Sequence, residues 1–282
     1  MKFILFSNIR RHWKKKSRQF SISKRQVFVV VTMILTSLMM VTQISQVELQ
    51  YESIIALSLI TYVLSMIALR EDLSGIEFLT LLILPTLFTA SVSLFYFVLP
   101  QRLLTGLPIA LLYAIGIYAI LLTENIYNVA AERNIQLLRA AQSVGFLITL
   151  ITAFFLFDAV LSLHRDAIFN AVLVFIITFP LALQSLWSME LQPKLSFGIL
   201  IGSMATALIL SEIAFVFSFW PIRTTIESLF LATLFYTIVG MSQQHLVGRL
   251  FQATKKEFIL VLVAVFFLVL FTTKWGFGHF VN

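Results

Sequence analysis

Apolar residues in this chain fall in long continuous runs, and nine of these runs approach the ~20 residues a helix needs to cross a bilayer's hydrocarbon core. They cover 26–46, 52–69, 76–99, 103–123, 141–163, 167–189, 195–219, 225–242 and 257–274, separated by charged or turn-forming breaks. A membrane β-barrel would need alternating segments of about ten residues, whereas 258–271 reads FILVLVAVFFLVLF without a polar interruption. The pattern predicts an all-α fold, a polytopic transmembrane helical bundle of about nine spans. The spans near residues 60 and 230 carry the weakest signal.

Composition agrees with that reading: 60% of the 282 residues are apolar and 12% charged. Cysteine is absent, which excludes disulfides, thiolate metal sites and cysteine nucleophiles together. The net charge of +7 is unevenly placed, because the first 25 residues hold nine of the 20 Lys and Arg and no acid. The remainder carries 11 basic and 13 acidic residues, so the basicity belongs to a tail and does not indicate a nucleic-acid partner. Two regions follow, a basic cytoplasmic tail over 1–25 and one transmembrane helical domain over 26–282.

Lys and Arg accumulate on the cytoplasmic side of membrane proteins. With the N-terminus inside, 16 basic residues fall in inner segments and four, Arg102, Arg165, Arg223 and Lys274, in outer ones. An odd number of spans then places the C-terminus outside, in a bacterial-type plasma membrane. No Ala-x-Ala-like cleavage site follows the first span before Val47-Glu48, so that span reads as an uncleaved anchor. Within the tail, Phe3, Phe6, Ile9 and Trp13 recur every three or four residues among basic ones, a pattern that suits an anionic inner leaflet. Trp187, Trp220 and Trp275 lie near span ends, as interfacial aromatics do.

The connections are too short for a soluble catalytic domain, and the nucleotide-binding, zinc-protease, hydrolase and EF-hand motifs are all missing. Any chemistry must then rest on span ends or on polar groups within the bilayer, which are costly there and therefore informative. The longest polar link is ENIYNVAAERNIQLLR, Glu124 to Arg139. At 3.6 residues per turn, Asn125, Asn128, Glu132, Gln136 and Arg139 fall near one face, which predicts that the fourth span continues as an amphipathic helix. Oxygen ligands on that face could hold Mg2+ against a phosphate, with Arg133 and Arg139 as anion partners. An ordinary interfacial helix end with a solvated polar face accounts for the same residues.

This stretch resembles the first motif of the UbiA-type membrane prenyltransferases, Asn-Asp-x-x-Asp-x-x-x-Asp, whose positions fall on Glu124, Asn125, Asn128 and Glu132. The resemblance implies nine helices and metal-diphosphate chemistry at the cytoplasmic face. Two of the ligand positions here are neutral amides, and no second Asp-x-x-x-Asp occurs in the chain. The chain as a whole resembles the uncharacterised bacterial multi-pass membrane families, a likeness that implies no activity.

Other candidates are weaker. Asp158 and Glu212 are intramembrane acids in the outer half, where a carboxylate must face protein, bind a proton or find a cation. His245 and Arg249 share a helix face in QQHLVGRLF and are expected to meet the Glu124–Arg139 segment, with Glu124 or Glu132 pairing with Arg249. Gly198 and Gly202 form a Gly-x-x-x-Gly step that permits close helix packing. Pro100-Gln101-Arg102 and Pro221-Ile222-Arg223 end the third and seventh spans alike, as a parallel duplication would. The residues imply no cofactor, no resident metal and no catalytic group. The expected role is non-enzymatic (transport, lipid interaction or scaffolding), and the alternative is a degenerate lipid-phosphate or prenyl transferase.

Overall fold

The computed structural model describes residues 23–44, 50–69, 77–98, 103–129, 135–192 and 194–273. Among them are nine helices and no strand: α1 Lys24–Ile44, α2 Gln50–Leu69, α3 Glu77–Val98, α4 Leu103–Val129, α5 Ile135–Leu161, α6 Ala167–Glu190, α7 Phe197–Phe217, α8 Thr224–Leu246 and α9 Gln252–Thr272. Eight are long and apolar enough to cross a membrane, including α2 and α8, which cover the two weakest runs. The ninth, α9, carries Lys255, Lys256 and Glu257 in its first turns. That leaves 15 uncharged residues from Phe258 to Thr272, about 22 Å at the rise of an α-helix, so its lysines must snorkel for it to span.

Helices α3, α5, α6 and α8 form the centre. α5 packs on α3, α4, α6 and α8; α1 and α2 lie against α3 and α4; α7 packs on α6 and α8; and α9 leans on α8. The apolar core runs unbroken from Phe28 in α1 to Val269 in α9. Large apolar side chains also cover the outside, as on Phe197, Ile168, Leu260 and Phe271, which suits hydrocarbon as solvent. Serine and threonine hydroxyls point inward and donate to their own helix backbone one turn back, for example Thr61 to Leu57 O at 2.9 Å and Thr152 to Ile148 O at 2.8 Å. Such local bonds satisfy a hydroxyl without a partner from another helix.

The closest pairing is the α6–α7 hairpin. α6 stops where Leu191 takes the left-handed conformation (φ 49°) and its N–H bonds Trp187 O, while the Ser196 hydroxyl caps α7 by accepting from Ile199 N at 3.3 Å. Small side chains on the inner face of α7 (Ser203, Thr206, Ala207 and Ala214, all buried) let the two backbones approach. The Ser211 hydroxyl then reaches across to Ala171 O at 2.9 Å. Gly202 belongs to this contact, since a Cβ there would lie 3.4 Å from Leu186 Cδ1. Gly198 does not, being exposed with only Ser196 Oγ near, at 3.9 Å. The first glycine of the step is the second residue of α7, in its first turn.

The packing does not follow a duplication of α3–α5 in α7–α9. α3 lies along α5, with Phe95 stacked on Phe155 at 4.2 Å, whereas the buried face of α7 turns to α6 and α8. Shared Pro and Arg at two helix ends is common helix-end grammar and requires no common packing.

Candidate functional site

Two features of the bundle are built in a way that simple packing does not require. One is a buried polar cluster at the end where α4, α6 and α8 finish and α5 begins. The other is an apolar cleft nearer the middle.

The cluster grows from the second half of α6, in which every residue from Leu181 to Ser188 is buried. Any polar side chain in that stretch needs a protein partner, because neither water nor lipid reaches it. Gln184 Nε2 donates to Glu124 Oε1 of α4 at 2.7 Å. On the neighbouring position, Ser185 receives Gln243 Nε2 of α8 at its carbonyl (2.9 Å) and at its hydroxyl oxygen (2.8 Å). One turn on, Ser188 O accepts from Gln142 Nε2 of α5 at 2.9 Å. Three amides thus tie α4, α5 and α8 to one turn of α6. Tyr127 adds a link from α4 to α5 by donating to Ala141 O at 3.1 Å, and Gly145 supplies the room for that ring. Glu124 is 0% exposed. Its Oε2, together with Gln184 Oε1 and both polar atoms of the Asn128 amide, is buried without a hydrogen-bond partner.

Several sequence expectations change here. The described helices end at Val129 and restart at Ile135, so Glu124–Arg139 is not one amphipathic helix. The reason is tertiary: α5 folds back antiparallel on α4, pairing Tyr127 with Ala141 and Thr123 with Gly145. The polar stripe is therefore divided. Glu124 and Asn128 face inward, Asn125 is partly buried, and Arg139 is exposed on α5. Glu132 and Arg133 lie outside the described residues, as do residues 1–22 of the basic tail, whose Lys24 and Arg25 begin α1. The end of α8 does reach the cluster, but through Gln243; His245 and Arg249 are both exposed. The partner of Glu124 is Gln184, not Arg249. Trp187, expected at an interface, is fully buried and donates to Gln192 O at 3.0 Å, fastening the C-terminal turn of α6.

At the opposite end of the bundle the two intramembrane acids part company. Asp158 of α5 is 3% exposed, lies against the hydroxyl side chains of Thr225 and Ser228 of α8, and has an unpartnered Oδ1. Glu212 is exposed on the outer surface of α7. A third acid, Glu227 in the first turn of α8, is 6% exposed with an unpartnered Oε1. Sequence reasoning passed over it because an acid in a first helical turn is ordinary. Gln184 and Gln243 were missed for a related reason: both are uncharged, though a lone glutamine inside VLVFIITFPLALQSLW was a signal that could have been used. Among the described residues, no group of three or more His, Asp or Glu could hold a metal ion.

The apolar cleft has a volume of about 620 Å³ and lies between α3, α4, α5 and α8, touched by Val261 of α9. Phe88, Phe95, Phe154 and Tyr236 wall it. Gly116 lies beneath the Phe88 ring, which stacks on Tyr113 with centroids 5.9 Å apart. Among the described residues that line it, Thr233 and Tyr236 are the polar ones, and the Thr233 hydroxyl already donates to Leu229 O at 2.7 Å. Leu112 and Ile115, 64% and 60% exposed, stand at its mouth. The cleft therefore opens sideways, toward the lipid-facing surface of the bundle.

Eight helices long and apolar enough to cross a membrane, with hydroxyls and amides turned inward and bulky apolar side chains turned outward, are the architecture of a multi-pass α-helical bundle. Residues 51–272 match the family described as "Protein of unknown function (DUF5656)", and the chain belongs to that family. The match runs from the second residue of α2 to the last of α9, leaving α1 and the basic tail outside it. No curated protein and no solved structure matches the chain.

Proposed function

We propose that this protein is a non-enzymatic lipid-interacting protein of a bacterial-type plasma membrane, holding one long hydrocarbon chain in the cleft between α3, α4, α5 and α8. The cleft itself carries the proposal. Its volume, about 620 Å³, falls within the ~300–1,000 Å³ typical of small-molecule sites, but its described lining lacks the convergent polar groups that would orient a soluble ligand. A hydrocarbon chain gains nothing from the hydrophobic effect on leaving lipid for this cleft. Its preference must come from shape and dispersion against the aromatic walls, which favours a chain of particular branching over bulk lipid. The transferase alternative draws less support. Of the four positions of its motif, two are amides, Glu124 is already bonded to Gln184, and a magnesium diphosphate needs more negative charge than the two carboxylates Glu124 and Glu132 provide.

The reading is tested with photoactivatable acyl and isoprenoid chains added to membranes that contain the protein. Labelling should concentrate on peptides spanning 109–119 and 148–155, differ between the two chain types, and fall several-fold in Ala119→Trp, which fills the cleft. Labelling spread evenly around the bundle would reduce the cleft to an ordinary lipid-facing groove.

The proposed orientation has the N-terminus cytoplasmic, placing the Glu124 cluster at the cytoplasmic end and Asp158 at the outer one, with the C-terminus outside if α9 spans. Reporter fusions at Lys16 and Asn282 should label opposite sides. We also assign the basic tail to the anionic inner leaflet, so a peptide of residues 1–25 should bind vesicles containing anionic lipid and release them as salt is raised.

A further inference from the structure

We propose that the buried cluster of Glu124, Gln184 and Asn128 is a binding site for one monovalent cation, with sodium the ion that fits its oxygen set. This inference is independent of the cleft and rests on an excess of acceptors. Glu124 and Gln184 are 0% and 2% exposed, and they share one hydrogen bond, Gln184 Nε2 to Glu124 Oε1 at 2.7 Å. That bond spends a donor of Gln184 and leaves Glu124 Oε2 and Gln184 Oε1 buried with no partner. Asn128 stands one turn beyond Glu124 on the same face of α4, and its Oδ1 is buried and unpartnered too. Three acceptor oxygens from two adjoining helices are thus left buried and unpartnered, against one unpartnered donor atom, the Asn128 amide nitrogen.

Four neighbouring donors among the described residues are already committed. Gln243 Nε2 serves Ser185, Gln142 Nε2 serves Ser188 O, the Tyr127 hydroxyl serves Ala141 O, and the Ser188 hydroxyl serves Ser185 O at 2.8 Å. A proton on Glu124 would supply one donor and so satisfy only one of the other two oxygens. A cation meets all three at once and neutralises the carboxylate that burial otherwise makes costly. A single carboxylate matches a single positive charge, and the absence of a group of three His, Asp or Glu among the described residues argues against a divalent ion. The Asn128 amide nitrogen, also unpartnered, can donate to a water that the ion retains.

Position supports access. Glu124 lies five residues before the last described residue of α4, about 7.5 Å along the axis, in a helix that at ~40 Å overhangs a hydrocarbon core of ~30 Å. An ion would enter from the membrane boundary without crossing the bilayer.

The test uses the full-length protein in detergent, where the lipid cleft plays no part, so failure here leaves the lipid proposal standing. Thermal unfolding is followed as sodium chloride replaces choline chloride at constant ionic strength and constant pH, and ²²Na⁺ binding is counted directly. The wild type should show a saturable sodium-specific rise in unfolding temperature and bind about one ion per chain. Glu124→Gln, which keeps the shape and removes the charge, should abolish both. Asn128→Ala, expected to fold whatever happens to Glu124→Gln, should raise the half-saturating sodium concentration about tenfold. Equal stability in sodium and choline, or a stability that follows pH alone, would overturn the proposal in favour of a structural or merely protonated carboxyl. A sodium response retained in both variants would place the ion elsewhere and overturn it equally.

Discussion

The two ends of the bundle bury carboxylates in different company. At one end Glu124 is met by an amide, and amides of α5 and α8 join the same turn of α6, so that four helices are linked through Gln142, Gln184 and Gln243. At the other end Asp158 has hydroxyl neighbours, Thr225 and Ser228, and the Ser228 hydroxyl already donates to Thr224 O at 2.8 Å. An amide can donate two hydrogen bonds while its oxygen accepts; a hydroxyl donates one and often gives it to its own helix. The first end is therefore a network between helices, and the second is a set of neighbours with mostly local bonds. Other cross-links at the second end are single contacts, such as Asn170 Nδ2 to Ser218 Oγ at 3.2 Å and Trp220 Nε1 to Thr273 Oγ1 at 2.9 Å.

This contrast sets an order of mutational effects. Gln184→Leu should be the most damaging, since it removes the one donor among the described residues to a fully buried carboxylate; a loss of about 3 kcal/mol is expected, read as a fall in unfolding temperature in detergent. Gly145→Val comes next. A Cβ at Gly145 would stand 2.5 Å from the Tyr127 hydroxyl, so the ring must move and surrender its bond to Ala141 O, at a cost of about 2 kcal/mol. Asp158→Asn should change stability by less than about 1 kcal/mol in either direction, because it removes a buried charge and retains the shape. If it proves as costly as Gln184→Leu, the two ends do not differ in kind. The double variant His245→Ala, Arg249→Ala should fall within about 0.5 kcal/mol of the wild type, as exposed substitutions usually do. A larger effect would mean that these exposed side chains support the cluster from outside.

Much of the fold could be read from the chain because the bilayer imposes so simple a requirement. Each span must be a continuous apolar helix, and the predicted runs 52–69, 76–99 and 167–189 fall within two residues of helices Gln50–Leu69, Glu77–Val98 and Ala167–Glu190. The site was legible only in part. Glu124 and Asn128 stood out through charge and spacing, but their setting did not, because the residue that answers Glu124 is 60 positions away and uncharged. His245 and Arg249 attracted notice as polar groups near the right membrane end, yet the helix turns Gln243 inward in their place.

Helix class, approximate span ends and the separation of a basic tail from an apolar domain were thus determined by the sequence alone, since each depends on local hydropathy and charge along one stretch of chain. The tertiary structure decided which face of each helix is buried. It placed Asp158 inside and Glu212 outside, admitted Gly202 to a helix contact while leaving Gly198 exposed, and broke Glu124–Arg139 into two helices. In these spans, apolar residues surround every helix on all sides, so no amphipathic stripe marks the inward face. That choice falls to packing and to hydrogen bonds between residues distant in the chain, which a helix acquires only once its neighbours are in place.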